Sequence, residues 1–316
     1  MKYRKRSIIY VLLAGLILLI NSCKIKNPPR LELVEYKSLP TFPSASAIEF
    51  YKDKLYILGD DATYMLVMDT NYLVVDSVSY ITDTSYRLSK DIKPDIEAAT
   101  MVMNIDHPHL FAISSNSTDS RNKILYFPLE EKDSFLILEK SLTKEQRAAL
   151  PGLNIEGLTW VNSRFVLANR ANTTFRMNKL FISNNTTNQT IIIPPSAIID
   201  FVLDSQTVIG VSGLFYHHET DIMFFSASEE DTPSATQDGT INDSYLGWIL
   251  NFSAKMDGKS VKPNQMIKLT PVNKRFTKQK IESVCVEKFK DNEFILHLVA
   301  DNDTGTSGLF KMRLKL

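Results

Sequence analysis

Five segments of the chain share one pattern, and a repeat of this length leaves few folds open. The segments are Ser46-Ala47-Ile48-Glu49-Phe50, Glu97-Ala98-Ala99-Thr100-Met101, Glu156-Gly157-Leu158-Thr159-Trp160, Ser212-Gly213-Leu214-Phe215-Tyr216 and Glu282-Ser283-Val284-Cys285-Val286. Each opens with Glu or Ser and continues with a small residue. An apolar residue comes next, and another follows two positions later. The openings lie 51, 59, 56 and 70 residues apart, the length of one four-stranded propeller blade with its loops.

Each opening is followed by a turn and a second apolar run: Leu55–Leu58, Leu110–Ile113, Phe165–Ala168, Ile222–Phe225 and Phe294–Ala300. These runs end in polar clusters that contain Asp60, Asn116, Asn169-Arg170, Glu229 and Asp301. A third strand follows at Met65–Met68, Ile124–Phe127, Leu180–Ile182, Tyr245–Ile249 and Leu309–Met312. Short alternation of β-branched and aromatic residues supports strands throughout. Helical signals are confined to Thr143–Leu150, where Thr143 and Gln146 form a capping box and Pro151-Gly152 end the segment.

The expected fold is therefore all-β, a propeller of four-stranded blades with five repeats. The unassigned run Ala197–Leu203 and the 70-residue spacing leave a sixth blade open. The last repeat ends on its third strand, so Leu31–Leu39 is expected to supply the fourth and close the ring against Leu309–Leu316. The small residue in the second position suits inner strands that converge on a crowded central channel.

The start of the chain points to export. Lys2, Arg4, Lys5 and Arg6 precede the apolar run Ile8–Ile20, and Asn21-Ser22-Cys23 follow. This is the charged, apolar and small-residue order of a secretory signal, and the run is shorter than the roughly 20 apolar residues a membrane span needs. The small residue before Cys23 resembles the lipobox of bacterial lipoproteins. That resemblance implies removal of residues 1–22, lipidation of Cys23, a tether over residues 23–30 and a single domain over 31–316. Lys24 in place of Asp favours the outer membrane by the same likeness. With Cys23 lipidated, Cys285 has no intramolecular partner, so no disulfide is expected. The whole chain has 36 basic and 36 acidic residues, and loss of the basic leader leaves a slight acidic excess. Nucleic acid is not an expected partner, and the membrane is reached through the lipid alone. The chain is expected to act as a monomer.

The Ile-Glu-small-apolar signature resembles the phytase-like and SdiA-regulated propellers of bacteria. Asp95-Ile96-Glu97-Ala98, Asn154-Ile155-Glu156-Gly157-Leu158 and Lys280-Ile281-Glu282-Ser283 carry the likeness, with Ala300-Asp301-Asn302-Asp303-Thr304-Gly305 further on. It extends to gluconolactonase and paraoxonase-like propellers, and implies calcium as the one candidate cofactor. Ser46 and Ser212 depart from the Glu of the other repeats.

Antiparallel pairing of the first two strands puts the start of one beside the end of the other. Glu97, Glu156 and Glu282 start first strands; Asp60, Asn116, Asn169, Arg170, Glu229 and Asp301 end second strands. All are expected at one channel mouth. Each Glu can serve the fold by accepting backbone N–H bonds there. Crowded carboxylates also suit a divalent cation, since calcium takes 6–8 oxygen ligands. A polar ligand is the third reading, with Arg170 as its anion partner. The loop Glu229–Asp243, which holds Glu230, Asp231, Pro233, Asp238 and Gly239, belongs to the same end. With the Thr143–Leu150 helix it is either a lid or a solvated surface loop.

The histidines argue against a Ser-His-Asp triad or a His-rich zinc site at this mouth. His107, His109, His217 and His218 fall in turns at the opposite end, and His297 lies inside a strand as a core residue. Cys285 reads as an inert buried thiol. Two functions remain: a tethered propeller that binds a small polar ligand or protein partner, or a calcium-dependent hydrolase of a phosphoester, ester or lactone. In the second, a Glu of the rim would act as general base.

Overall fold

The computed structural model describes residues 28–316, except 84, 104–106, 131–135, 140–143, 184–195, 204, 232–238 and 303–304. The leader, Cys23, Thr143 of the expected helix cap, and Pro233 and Asp238 of the acidic loop lie outside the described residues.

Strand β1 (Arg30–Leu39) belongs to the last blade. Blade 1 follows as β2 (Ala45–Tyr51), β3 (Lys54–Gly59), β4 (Tyr64–Asp69) and β5 (Val74–Ser79). Blade 2 comprises β6 (Ile96–Met103), β7 (Pro108–Ser114), β8 (Lys123–Pro128) and β9 (Leu136–Glu139). The short helix α1 (Lys144–Ala148) leads into blade 3, made of β10 (Ile155–Val161), β11 (Arg164–Asn169), β12 (Asn178–Ile182) and β13 (Ala197–Phe201). Blade 4 has β14 (Ile209–His217), β15 (Ile222–Glu230) and β16 (Ile241–Leu250). After β17 (Ser260–Val261), which pairs in parallel with β13, it is completed by β18 (Gln265–Lys268). Blade 5 is β19 (Lys280–Lys290), β20 (Glu293–Asp301), β21 (Ser307–Lys315) and β1.

Among the described residues the blades number five. The run at Ala197 is the outer strand of blade 3, not part of a sixth blade. Ring closure follows the expected strand pairing, in a register that sets Leu31 opposite Leu314 and Leu39 opposite Ser307. Inner strands meet in the order β2, β6, β10, β14, β19 and back to β2.

Both faces of each blade are apolar, because each blade is covered by a neighbour on either side. One layer of the core lies between blades 1 and 2, where Ala47, Leu58 and Met65 pack on Ala99, Leu110 and Leu125. Another joins blades 5 and 1 through Val299 and Leu309 against Ile48 and Ile57. Cys285 is fully buried in that layer, and burial pushes its thiol above the ordinary value. His297 is fully buried too, between the Tyr72 hydroxyl and Glu287, each at 2.8 Å.

The repeat has a backbone cause. In every blade the ladder between inner and second strand skips one inner-strand residue at the same place. The skipped residues are Ser46, Glu97, Glu156, Ser212 and Glu282. A bulge inserts one unpaired residue and re-aims its side chain. The small residue that follows faces the next inner strand at close range. A Cβ on Gly213 would stand 2.6 Å from the Glu282 carbonyl oxygen, and one on Gly157 2.8 Å from Leu214 Cγ.

Candidate functional site

The bulged residues sit at the start of the inner strands, where the second strands end, so this end of the ring gathers polar side chains from all five blades. Ser46 Oγ donates to the Ile96 carbonyl at 2.5 Å and joins blade 1 to blade 2. Ser212 Oγ accepts from Arg170 at 2.9 Å. The two serines thus serve as uncharged connectors where the other blades carry Glu.

Arg170 is the centre of one ion network. Its guanidinium, 4% exposed, donates to Glu156 at 3.3 Å, Glu230 at 2.9 Å and Ser228 Oγ at 2.7 Å. Glu156 also accepts from the Asn154 amide at 2.7 Å. Lys280 extends the network, 2.9 Å from Glu282 and 3.8 Å from Glu230. One oxygen of Glu282 is buried with no hydrogen bond. Burial lifts the Glu282 carboxyl to about 8, against the opposing pull of Lys280.

A second network occupies blades 1 and 2. Lys93 binds Asp60 and lies 2.8 Å from Asp95, which is 3.2 Å from Arg121. Arg87 binds Asp61. Oxygens of Asp60, Asp95 and Glu97 all lie within 4.8 Å of one another. Burial raises Asp60 to about 7, offset in part by Lys93, and holds Glu97 well above the carboxylate range. Glu97 feels the charge of Glu156, and Glu282 feels it too. Glu156 is therefore the electrostatic link between the two networks.

The structure brings Asp60, Glu97, Glu156, Arg170 and Glu282 together. Asp301 pairs with Lys280 across the ladder and its charge reaches Arg87. Asn116 and Asn169 have local duties. Asn116 sits in a left-handed turn and donates to the Ser114 carbonyl at 2.8 Å. Asn169 accepts from Asn154 N at 2.7 Å and donates to the Gly152 carbonyl, which fixes the turn before Glu156. Glu229 is a correction: it bonds the Tyr245 hydroxyl at 3.3 Å, and its neighbour Glu230 joins Arg170 instead. Ser228 and Glu230, two residues apart on β15, share the face that meets Arg170, so strand alternation turns Glu229 to the other face, toward Tyr245. Arg170 is a correction too. It is bound on several sides by acids and hydroxyls of the protein and does not stand open as an anion partner.

Sequence reasoning missed Lys93, Lys280, Asp95, Arg121 and Glu230. A signal for two of them exists, since a lysine precedes Glu97 by four residues and Glu282 by two. Glu229 and Glu230 end β15 rather than starting a loop. Arg147 of α1 donates to the Thr118 carbonyl at 2.6 Å, which docks the helix on the turn after β7 at this same end. Of the histidines, His109 lies in β7, where it stacks on Tyr126, and His217 is the last residue of β14, so neither sits in the turn.

A family model described as a family of unknown function (DUF6929) matches residues 41–314. No curated protein matches the chain in sequence. Among solved structures, the chain is similar to the glutaminyl cyclase of Myxococcus xanthus, at 8% identity and a TM-score of 0.52, over 90% of this chain and 96% of that one. It is also similar to the PQQ-bound aldose sugar dehydrogenase of Streptomyces coelicolor, at 10% identity and a TM-score of 0.47, over 91% and 99%. A member of the duf4221 family from Bacteroides vulgatus aligns at 8% identity and a TM-score of 0.38, over 92% and 99%. At these identities the likeness concerns the propeller fold alone.

Proposed function

The chain belongs to DUF6929, a family whose description assigns no activity, and we propose, from its leader sequence and its site, that it is a lipid-anchored binding module of the cell envelope. Its ligand is taken at the acidic channel mouth, and a divalent cation such as calcium fits the oxygens gathered there. The supporting observation is the convergence of Asp60, Asp95 and Glu97 within 4.8 Å, in a mouth where carboxyls outnumber bases. Asp60, Asp61, Asp95, Glu97, Glu156, Glu230 and Glu282 face Arg87, Lys93, Arg121, Arg170 and Lys280. Lys93 neutralises part of the Asp60–Asp95–Glu97 cluster, so a cation competes with its ammonium group for Asp60 and Asp95. The anchor is Cys23 in the outer membrane, and the module works as a monomer without nucleic acid.

Calcium titration of the mature domain tests this reading. A ligand that binds only the native state adds RT ln(1 + [L]/Kd), about 2.7 kcal/mol at 100 times Kd. Millimolar calcium should therefore raise the melting temperature of the wild type and of Glu32→Gln, and leave Glu97→Gln unmoved. No rise in the wild type would sink it. Cys23→Ser should release the chain from membranes or leave its leader uncleaved. A processed, membrane-bound Cys23→Ser protein would refute the anchor.

The phytase-like resemblance supports a second reading, calcium-dependent ester or phosphoester hydrolysis. One of Glu97, Glu156 or Glu282 would act as its general base, and the carboxyl of Glu97, held above its usual range, is the one this reading takes first. Chelator-sensitive turnover of such substrates, lost in Glu97→Gln, separates it from simple binding.

A further inference from the structure

The end of the channel opposite the acidic mouth holds a separate cavity of about 450 Å³. It lies between the later halves of β2, β6, β10 and β14. Phe50, Tyr51, Trp160, Phe215 and Tyr216 line it with five aromatic rings, and Glu49 is the carboxyl among them. Pockets that bury small molecules run from roughly 300 to 1,000 Å³, mostly apolar, with a few placed polar groups. This one has that composition.

Glu49 is the unusual member. It occupies the fourth position of the repeat, where the other blades have Thr100, Thr159, Phe215 and Cys285. Thr159 Oγ1 there accepts the Tyr216 N–H at 3.0 Å and clamps blade 3 to blade 4. Glu49 does the same for blades 1 and 2, accepting backbone N–H bonds from Met101 and from Phe50. A hydroxyl suffices for that clamp in blade 3, so a carboxylate is more than the fold requires. Glu49 is 2% exposed, and among the described residues no lysine or arginine lines the cavity. The basic residue nearest in sequence, Lys52, is not among the lining residues; it pairs with Glu130 at 2.9 Å, which also bonds His107, and its ammonium already lies 5.2 Å from the centroid of the Tyr51 ring. Glu219, at the cavity entrance beside His217 and His218, adds a second acid. Burial holds the Glu49 carboxyl well above its ordinary value, against the N–H bonds it accepts, because a buried carboxylate without a counter-ion is costly; an entering cation favours its ionised form and is attracted by the negative quadrupoles of the aromatic faces.

We propose that this cavity is a binding site for a small organic ammonium ligand, whose cationic head meets Glu49 and the faces of Trp160 and its aromatic neighbours. The site is independent of the acidic mouth, because it draws on the opposite end of the inner strands.

Calorimetric titration of the mature domain with choline, beside its neutral carbon isostere 3,3-dimethylbutan-1-ol, is the test. Choline should bind saturably and the isostere at least about tenfold more weakly, because the ring quadrupoles act on charge. Glu49→Gln keeps an oxygen for the Met101 N–H but removes the charge, and should weaken choline by at least about tenfold. Trp160→Leu keeps the carboxylate and should weaken choline too, which covers the case of a poorly folded Glu49 variant. Glu97→Gln should bind choline like the wild type, whatever its response to calcium. Equal binding of choline and the isostere, unchanged choline affinity in a folded Glu49→Gln protein, or no saturable heat at millimolar choline would each overturn the proposal.

Discussion

Arg170 and Glu230, sixty residues apart and on neighbouring blades, meet at 2.9 Å with side chains only 4% and 7% exposed. The same guanidinium reaches Glu156, so one cation holds two buried acids. Breaking a buried pair by removing one partner typically costs about 3–5 kcal/mol, because the other charge is left unpaired. Arg170→Ala should lose stability in that range by denaturant unfolding. Adding Glu156→Gln and Glu230→Gln to the same protein should recover a large part of the loss. If Arg170→Ala costs no more than Glu32→Gln, whose pair with Arg313 is half exposed, the network is not holding blades 3 and 4 together.

The raised carboxyls predict how stability depends on pH. Asp60 goes from its ordinary 3.8 to about 7 and Glu282 from 4.5 to about 8, each chiefly through burial. A carboxyl raised in the folded state holds its proton longer there than in the unfolded chain. Its contribution is therefore most favourable at low pH and is lost as pH rises through the folded-state value. His297, lowered by burial, acts in the opposite sense below its ordinary 6.5. Between pH 6.5 and 8.5 the carboxyls dominate, so the melting temperature should fall across this window. Glu282→Gln and Asp60→Asn should each flatten the fall, and a profile identical to the wild type in both would refute the assignment.

Much of the ring was readable because its cause is local. The bulge recurs in each blade and asks for the same residue types each time, a polar residue and then a small one. That is how Glu97, Glu156 and Glu282 stood out with no structure in hand. What could not be read was the compensation. Lys93 reaches its acids from the segment ahead of β6, and Lys280 from the first residue of β19; both precede the five-residue repeat, which carries no sign of them. The choice between Glu229 and Glu230 depends on which face of β15 meets Arg170 of the neighbouring blade, and two adjacent glutamates leave no mark of that in residue type. Glu49 was visible as the one acid in the fourth position. Its meaning depends on a cavity formed by four separate strands, which no spacing discloses.

Ring closure rests on β1, which pairs with β21 from Arg30 to Leu39. It is reinforced by Ser307 Oγ, which accepts from Ala45 N and donates to the Phe42 carbonyl, both at 2.8 Å. Deleting residues 24–40 would leave the outer edge of β21 unpaired and strip cover from its apolar face. An exposed edge of that length templates association with other chains. The truncated protein should melt at lower temperature and aggregate at concentrations where the full mature domain stays monomeric by light scattering. An unchanged melting temperature would show that these residues are only a linker.

The small residue after each bulge predicts a sharp contrast among glycines. At Gly213 an added Cβ would meet the Glu282 carbonyl oxygen at 2.6 Å and Ser283 Cα at 2.8 Å. Both are backbone atoms of the next inner strand, so relief requires moving blade 5 away from blade 4. Overpacking of this kind typically costs about 1–3 kcal/mol. Gly258 has only the Lys255 carbonyl at 3.1 Å and the Ser260 carbonyl at 3.7 Å, so Gly258→Ala should stay within about 0.5 kcal/mol of wild type. Gly213→Ala should also disturb the mouth, because the strand it pushes carries Glu282 and Lys280. Its descent in melting temperature between pH 6.5 and 8.5 should therefore differ from that of the parent. Should Gly213→Ala prove as stable as Gly258→Ala, with the parent's pH profile, the crowding argument for the small second residue of the repeat fails.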